Sequence, residues 1–361
     1  MILPDTYAVA LFLAILAAFC WGSWANTYKL ARKQRFELFY WDYALGAVIA
    51  ALVAALTFGS LGFDMGGDVA GFAFRDDLMR SSKHSWFYGL AAGGVFNLGG
   101  ILLMASMSLA GMSLALPVGL GLTAGIAVLV RYLIKPDIQP VMVFSALMLI
   151  FAAVVLDLMA YRAVSLLRAQ EAIKTGKTKS TKLTASWKPI VFALIGGPLI
   201  ALSWPLVELS RVPDTGMGPY AAAFMFSIGV FVSTAVYNLF FMNLPVKGEP
   251  LELLQYLRQP VKNHLLPLLG GMIWAAGTVA LFAASSATAA SGAGADATPL
   301  LGSLTGQAVI AAAALLGALW GVLVWREYAS PSARVRGLAM LMLILLAGAL
   351  VLILVAPQIR A

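Results

Sequence analysis

The chain has 361 residues, of which 61% are hydrophobic and 11% are charged, and its mean hydropathy is +0.90. Soluble globular chains carry roughly 25% charged residues because their surfaces face water, so this composition excludes that class. The net charge of +8 comes from cations that flank apolar runs. Such cations indicate orientation signals beside anionic lipid, and no nucleic-acid partner is expected.

Ten apolar runs are long enough to cross a bilayer, which takes about 20 residues. They predict membrane-spanning helices at 6–29, 38–60, 86–109, 112–134, 141–162, 189–209, 219–241, 265–287, 300–325 and 335–356. Apolar residues surround each run, and none has the period-two alternation of a membrane barrel. The expected fold class is therefore all-α polytopic. Asp5 stands where a signal peptide would be basic, so the first span is expected to be retained.

A basic segment at 168–187 divides the spans into two groups of five. We therefore expect an N-terminal repeat at 1–167, a cytoplasmic linker at 168–187 and a C-terminal repeat at 188–361. A repeat with an odd number of spans is inverted relative to its copy, and inverted repeats place a substrate site near the midplane.

Two sequence matches support this division. GGVFNLGGILLMASMSLAG at 93–111 aligns with GGMIWAAGTVALFAASSAT at 270–288, and SWANTYKL at 23–30 aligns with SWPLVELS at 203–210. The two offsets are nearly equal and the matches occur in the same order, which predicts an internal duplication.

The distribution of cations predicts the orientation. The loops after odd-numbered spans contain about 17 of the 24 Lys and Arg residues. The positive-inside rule places these loops in the cytoplasm and both termini outside. Four cations directly after the first span, Lys29, Arg32, Lys33 and Arg35, point the same way. The expected location is the inner, cytoplasmic membrane.

Polar and aromatic side chains concentrate at the end of the first span, in CWGSWANTYKL. Trp24 and Tyr28 fit either a site or an interfacial aromatic belt. Trp21 lies deeper, and Asn26 must face protein or water because an unpaired amide in hydrocarbon costs several kcal/mol. Trp204 comes from the matching half. Trp21 and Trp204 are expected to face each other as stacking surfaces for a flat, polar solute.

Five more groups deep in the spans are predicted to bind solute. Asn97 and Trp274 occupy matching repeat positions, and Thr278 and Gln307 are polar. Thr123 lies in PVGLGLTAG, a segment rich in glycine that is expected either to unwind and line a cavity or to pack closely against another helix.

Ionisable residues within membrane spans are functional candidates by default. Glu208 is the first candidate for proton coupling, with an ordinary ion pair to Arg211 as its alternative. Asp42 is the second candidate, with a role as a helix-start anion as its alternative. Asp157 is expected to snorkel or pair, and Glu327 to act as an interface anchor.

Enzyme signatures are weak. The two histidines, His84 and His264, lie in or beside loops, so neither a metal site nor an enzyme is expected. The GKT at 176–178 would belong to a phosphate loop only with a small residue at position 171, where Glu171 stands. No cofactor is predicted. A proton gradient is the expected energy source, and sodium stays open.

Three stretches resemble the drug/metabolite transporter superfamily, and within it the ureide permeases and their bacterial relatives, with the glucose/ribose and rhamnose porters next. They are 21–59, beginning WGSWANTYKL, 89–134, beginning GLAAGGVFNLGG, and 220–241, beginning YAAAFMFSIG. Plant ureide permeases carry a phosphate-loop-like motif in the central loop, from which Glu171 departs. The resemblance implies proton-coupled uptake of allantoin, uracil and related heterocycles.

The expected function is thus import of a small polar solute of the nucleobase or ureide class, including xanthine, by proton-coupled alternating access. A sugar:proton symporter and an exporter of drugs or metabolites are the alternatives. A membrane enzyme or lipid scramblase is a more distant one. The expected partners are the solute and membrane lipid, and the protein is a monomer or a homodimer.

Overall fold

The computed structural model describes residues 1–31, 34–61, 73–176, 185–288, 299–330 and 332–359. Within these ranges the chain is helical, and the strand pairing consists of an isolated bridge between Thr288 and Pro299. Ten helices are long and apolar enough to cross a membrane. The prediction of an all-α polytopic membrane fold is confirmed.

The helices run as follows: α1 Tyr7–Ser23, α2 Ala25–Leu30, α3 Phe36–Leu56, α4 Phe74–Arg80, α5 Lys83–Ala110, α6 Met112–Ile134, α7 Pro140–Lys174, α8 Lys188–Ser210, α9 Pro219–Asn243, α10 Leu253–Leu257, α11 Lys262–Ser285, α12 Thr305–Leu319 and α13 Ala333–Val355. A π-helical turn, Trp320–Val324, extends α12, and a 3₁₀ turn, Ala356–Gln358, follows α13. The first span consists of α1 and α2, which are interrupted at Trp24.

Two predicted boundaries are wrong. Helix α7 continues to Lys174, twelve residues beyond the predicted end of the span at 162, because RAQEAIK consists largely of strong helix formers. The first part of the predicted linker is therefore helix, and its residues 177–184 lie outside the described residues. Helix α12 begins at Thr305, later than predicted.

The predicted unwinding of PVGLGLTAG is also wrong, because α6 is continuous through Pro117. Close helix packing explains the glycines here. A β-carbon on Gly197 of α8 would lie 2.4 Å from the Gly119 carbonyl oxygen of α6. The segment therefore packs closely, as its small residues allow, and it also lines a cavity, through Leu120 and Thr123.

Large apolar side chains cover the outside of the helices. Phe12, Phe144, Val232 and Ile344 are each more than half exposed. Contiguous exposed apolar surface of this kind is rare on soluble monomers. It is the surface that a bilayer covers.

Helix contacts recur at an offset of five spans. When both helices of a contacting pair are shifted by five spans, the result is again a contacting pair. This holds for α3–α11 with α9–α5, for α1–α11 with α8–α5, for α1–α12 with α8–α6, and for α6–α7 with α12–α13. The pairs α3–α9, α6–α12 and α7–α13 correspond to themselves. A two-fold relation between five-span halves would produce this pattern, and the inverted orientation of the halves stays a prediction.

Glycines make two of these corresponding crossings unusually close. Gly46 and Gly271 lie at the α3–α11 crossing, and Gly93 and Gly229 at the α5–α9 crossing. A β-carbon at these positions would lie 2.1, 1.8, 2.1 and 2.2 Å, respectively, from a carbonyl oxygen of the facing helix. Backbone therefore packs directly on backbone, as small residues allow in membranes.

Candidate functional site

A small cavity lies between the two halves of the chain. We call it the aromatic chamber, because half of its lining is aromatic. Its residues are Trp21, Trp24, Tyr40, Tyr43, Phe96, Gly100, Leu103, Leu116, Leu120, Thr123, Ile200, Trp204, Trp274 and Ile310. The predicted residues Trp21, Thr123, Trp204 and Trp274 therefore meet in one place, although they come from α1, α6, α8 and α11.

The rings of the aromatic chamber contact one another. The ring centroids of Trp21 and Trp204 are 5.9 Å apart with the planes at 49°, so the two indoles face each other at a tilt and not as parallel plates. The centroids of Trp24 and Tyr43 are 4.8 Å apart, and the Phe96 centroid lies 5.0 Å from that of Trp274. These separations are typical of favourable aromatic pairs.

The two facing indoles differ in their hydrogen bonds. Trp21 Nε1 donates to the Trp274 carbonyl oxygen at 3.2 Å and to Thr278 Oγ1 at 3.3 Å, so this ring is fixed in place. Trp204 Nε1 is buried and has no hydrogen-bond partner among the described residues. An unpaired buried donor costs about 1–3 kcal/mol. Within the described part of the chain, Trp204 Nε1 is therefore a donor without an acceptor in this conformation.

The aromatic chamber is narrow in this conformation. Its free volume is about 40 Å³, far below the roughly 300–1,000 Å³ of small-molecule sites. A heterocycle or a sugar needs the surrounding rings to move before it can enter.

A larger cavity, which we call the vestibule, lies on one side of the aromatic chamber. Its free volume is about 520 Å³, within the usual range for small-molecule sites. It lies among the C-terminal ends of α6, α8 and α11 and the start of α12. Trp204 and Ile310 line both cavities, so these two side chains separate the vestibule from the aromatic chamber.

The vestibule contains Glu208, and this carboxylate makes no ion pair within the described part of the chain. The Arg211 guanidinium bonds instead to the end of α11, at the Phe282 carbonyl oxygen (3.2 Å) and Ser285 Oγ (3.0 Å). The predicted alternative of a Glu208–Arg211 ion pair is therefore wrong. Burial lowers the pKa of Arg211 to about 10, which leaves it charged at neutral pH.

Arg131, the other arginine of the vestibule, is paired outside the membrane span. Both oxygens of Asp137 accept from its guanidinium at 3.1 Å, and this hydrogen bonding lowers the pKa of Asp137. Glu208 is thus the carboxylate of the vestibule whose charge no arginine neutralises directly.

A group of contacts that we call the latch joins the spans at the opposite end of the molecule. It consists of Lys29, Met112, Ser113 and Glu327. The Glu327 carboxylate pairs with Lys29 and accepts from the backbone N–H groups of Met112 (3.2 Å) and Ser113 (2.7 Å). These N–H groups have no partner within α6, so Glu327 caps that helix. The prediction of Glu327 as an interface anchor is wrong, because it joins three spans.

Asn26 lies beside the latch. Its Oδ1 accepts from Trp325 Nε1 at 2.7 Å and its Nδ2 donates to the Ser23 carbonyl oxygen at 2.8 Å. The side chain faces protein, as predicted, but it does not line the aromatic chamber. A second indole, Trp320, donates to Ser23 Oγ at 3.0 Å and strengthens this connection.

Asn97 lies behind the wall of the aromatic chamber, and is fully buried. Its Nδ2 donates to Ser233 Oγ (2.9 Å) and Thr234 Oγ1 (3.0 Å), and its Oδ1 accepts from the Tyr40 hydroxyl at 2.9 Å. The structure does not bring this amide to the cavity. Asn97 instead positions Tyr40, whose ring lines the cavity.

Replacing Asn97 with alanine is expected to lower stability more than solute affinity. The change removes three hydrogen bonds and leaves the Tyr40 hydroxyl without a partner, and a buried unsatisfied group costs about 1–3 kcal/mol. The Ser233 and Thr234 hydroxyls keep their bonds to backbone carbonyl oxygens. Thermal unfolding of the purified variant in detergent measures the loss. Tyr40→Phe is the matched control, since it removes one of these bonds and leaves Asn97 in place. A wild-type melting temperature for Asn97→Ala would contradict the expectation.

The remaining predicted residues lie around the cavities. Thr123 Oγ1 is 2.9 Å from both the Gly119 and the Gly197 carbonyl oxygens, so it ties α6 to α8 at the chamber wall. Thr278 contacts Trp21, and its hydroxyl oxygen accepts a hydrogen bond from the indole N–H. Gln307 lines the vestibule and not the aromatic chamber.

Asp42 lies away from both cavities. Its oxygens accept from the Tyr256 hydroxyl at 2.6 Å and contact His264 Nδ1 at 2.8 Å, which joins the starts of α3 and α11. Burial and the neighbouring carboxylate raise the pKa of Tyr256. Asp42 is engaged in a structural network here. Among the described residues, no group of three or more His, Cys, Asp or Glu side chains is placed to hold a metal.

Four of the seven aromatic residues that line the chamber were not predicted as site residues: Trp24, Tyr40, Tyr43 and Phe96. Trp24 was equally compatible with an aromatic belt, but it is buried and its ring contacts that of Tyr43 at a tilt of 44°. Tyr40 and Tyr43 are three residues apart, so they share one face of α3. That spacing, and the position of Phe96 next to Asn97, are the sequence signals that could have revealed them.

Comparison with known proteins supports the fold. No protein-family model matches the chain, and no curated protein matches it. The crystal structure of one protein resembles this chain, with 16% sequence identity and a TM-score of 0.52. The alignment covers 99% of this chain and 100% of the other. At this identity the similarity shows a shared fold alone.

Proposed function

We propose that this protein is a secondary transporter that moves a small, flat, polar solute across the inner membrane by alternating access. The observation that carries the proposal is the aromatic chamber between the two halves. One side meets a vestibule across Trp204 and Ile310, and the latch joins the spans at the far end of the molecule. Alternating access needs such a central site with two separable barriers. With both termini outside, the vestibule is the outer entrance and the latch is cytoplasmic.

The first choice of solute is a nucleobase or a ureide. Stacking of a base on an aromatic side chain contributes about 1–3 kcal/mol, and every such ring has a face to stack on. The amides of Asn97 and Gln307 do not line the aromatic chamber, so we assign the hydrogen bond to a solute oxygen to Trp204 Nε1. The resemblance to ureide permeases supports the same class.

An exporter of amphipathic drugs or metabolites is the second candidate. The specific observation in its favour is the lining of the aromatic chamber, in which aromatic and aliphatic side chains greatly outnumber polar ones. A sugar, which needs several hydrogen-bonding side chains as well as a ring to stack on, fits this lining less well.

Uptake into proteoliposomes tests the proposal. Purified protein is reconstituted and presented with allantoin, uracil, xanthine, glucose and rhamnose under an inward proton gradient. Saturable accumulation of a heterocycle is expected. Saturable uptake of sugars alone would overturn the substrate class, and efflux of dyes without uptake of any of these solutes would favour the exporter.

Replacing Glu208 with glutamine is expected to abolish accumulation driven by a proton gradient while exchange of solute across the membrane continues. The carboxylate faces the vestibule without an ion pair, so it is available to take up a proton from the outer side. Glutamine keeps the shape and cannot carry the proton. Counterflow and gradient-driven uptake, measured in parallel, separate the two activities. Wild-type accumulation in Glu208→Gln would exclude this residue from coupling.

A further inference from the structure

A second carboxyl group, Asp157 on α7, is fully buried in the helical bundle. The Tyr328 hydroxyl donates to its Oδ1 at 2.6 Å, and its Oδ2 has no hydrogen-bond partner among the described residues. An ionised carboxylate that is buried without a counter-ion is so costly that the group takes up a proton instead. The geometry is therefore that of a neutral carboxylic acid.

The charges around Asp157 favour the same state. Helices α6 and α13 pack against α7. The ionisable residues of these three helices, apart from Asp157, are Arg131 and Tyr132 on α6, Tyr161, Arg162, Arg168, Glu171 and Lys174 on α7, and Arg334 and Arg336 on α13. Within the described residues none of them pairs with Asp157. The charge that acts on it is that of Glu327, which has the same sign as a carboxylate.

Asp157 is connected to the latch through two consecutive residues. Tyr328, its hydrogen-bond partner, directly follows Glu327, whose carboxylate caps α6 and pairs with Lys29. If Asp157 loses its proton, a second negative charge arises beside Glu327 in a poorly solvated region. Repulsion between like charges at low dielectric is strong. The segment that carries Glu327 and Tyr328 would move away, and the latch would open.

We propose that Asp157 is a proton-binding site that controls the latch: the neutral acid keeps the latch closed, and loss of the proton opens it. The role of this site in transport rests on the proposed function, whereas the proton site and its effect on the latch do not. Asp157 lies outside both cavities, so its proton is separate from any proton that Glu208 carries.

Hydrogen–deuterium exchange of the first α6 amides tests the proposal without any solute. The N–H groups of Met112 and Ser113 are protected by Glu327, so they report on the latch. Wild type and Asp157→Asn are compared in nanodiscs at the same pH, which cancels the intrinsic pH dependence of exchange. Wild type and Asp157→Asn are expected to exchange these amides at the same rate at acidic pH. As the pH rises, wild type is expected to exchange faster, by up to about tenfold per pH unit for one released proton.

The amide that Asp157→Asn introduces cannot ionise, so equal exchange by wild type and this variant at every pH would overturn the proposal. Asp214→Asn is the matched control, because Asp214 is exposed in a loop and has φ 68°, which asparagine tolerates. It is expected to behave as wild type. Infrared spectra provide a second measurement: a protonated-carboxyl band at neutral pH is expected in wild type and should be missing from Asp157→Asn. An unchanged band would also overturn the proposal.

Transport measurements separate this proposal from the proposed function. If wild-type protein accumulates a solute under a proton gradient, Asp157→Asn is expected to lose both counterflow and accumulation, because its latch stays closed. Normal accumulation by Asp157→Asn would exclude a role of Asp157 in coupling. If wild type transports no solute, the proposed function fails, and the exchange and infrared results still decide whether Asp157 holds the proton that controls the latch.

Discussion

Replacing Trp204 with alanine is expected to weaken solute binding by about 5- to 150-fold, which corresponds to the loss of about 1–3 kcal/mol of stacking. Trp204 forms part of the vestibule and of the aromatic chamber, faces Trp21 at 5.9 Å and holds the unpaired indole N–H. Its removal therefore eliminates a stacking surface and a hydrogen-bond donor together. The loss of this side chain also joins the vestibule to the aromatic chamber, so bound solute is expected to leak back to the outside.

Two further variants give this prediction its control. Trp204→Phe retains an aromatic face and lacks the N–H, so it is expected to recover part of the affinity. Trp187→Ala removes an indole that is 67% exposed and distant from the cavities, and is expected to bind as wild type. Isothermal titration with the best solute from the uptake panel measures all three. Equal affinity of Trp204→Ala and wild type would remove Trp204 from the site.

Replacing Gly271 with alanine is expected to destabilise the folded protein by about 3 kcal/mol or more, at or above the upper end of the usual cost of overpacking. The added β-carbon would lie 1.8 Å from the Tyr43 carbonyl oxygen of α3. Backbone cannot rotate away as a flexible side chain can, so α3 and α11 must separate. The separation would also displace Tyr43 and Trp274, which line the aromatic chamber.

Gly337→Ala is the matched control for this variant. Gly337 lies within α13 and no atom lies within 4 Å of an added β-carbon among the described residues. Alanine there is expected to be neutral or to stabilise by up to about 1 kcal/mol, because it favours the helix. Thermal unfolding monitored by circular dichroism, with size-exclusion profiles, compares the variants. A melting temperature of Gly271→Ala equal to that of Gly337→Ala would contradict the close crossing.

Much of the fold follows from hydropathy, because a bilayer requires long apolar helices whose hydrogen bonds are satisfied internally. The same reasoning identified Asn26 as protein-facing, and the repeat matched Trp204 with Trp24, which lines the same chamber as Trp21. The role of Glu327 was not predictable in this way. Its partners, Lys29 and the first residues of α6, come from spans far apart in the sequence. No local pattern marks such a contact.

The distinction between Asn97 and Trp274 shows a second limit. The two occupy matching repeat positions, and the sequence predicted both as solute contacts. Trp274 lines the aromatic chamber, whereas Asn97 lies one layer behind it and holds Tyr40. Periodicity assigns a residue to a helix face, but the rotation of each helix in the bundle decides which side chain of that face reaches the cavity. Packing against neighbouring helices sets that rotation.

The single indole between the vestibule and the aromatic chamber has a kinetic consequence. Since the aromatic chamber has a free volume of only about 40 Å³, we expect a solute to wait in the vestibule until Trp204 turns aside. Binding observed by stopped flow would then reach a plateau rate at high concentration, because a conformational step limits it far below the speed of collision. The rate of solute binding is then limited by the frequency with which the Trp204 ring changes its orientation.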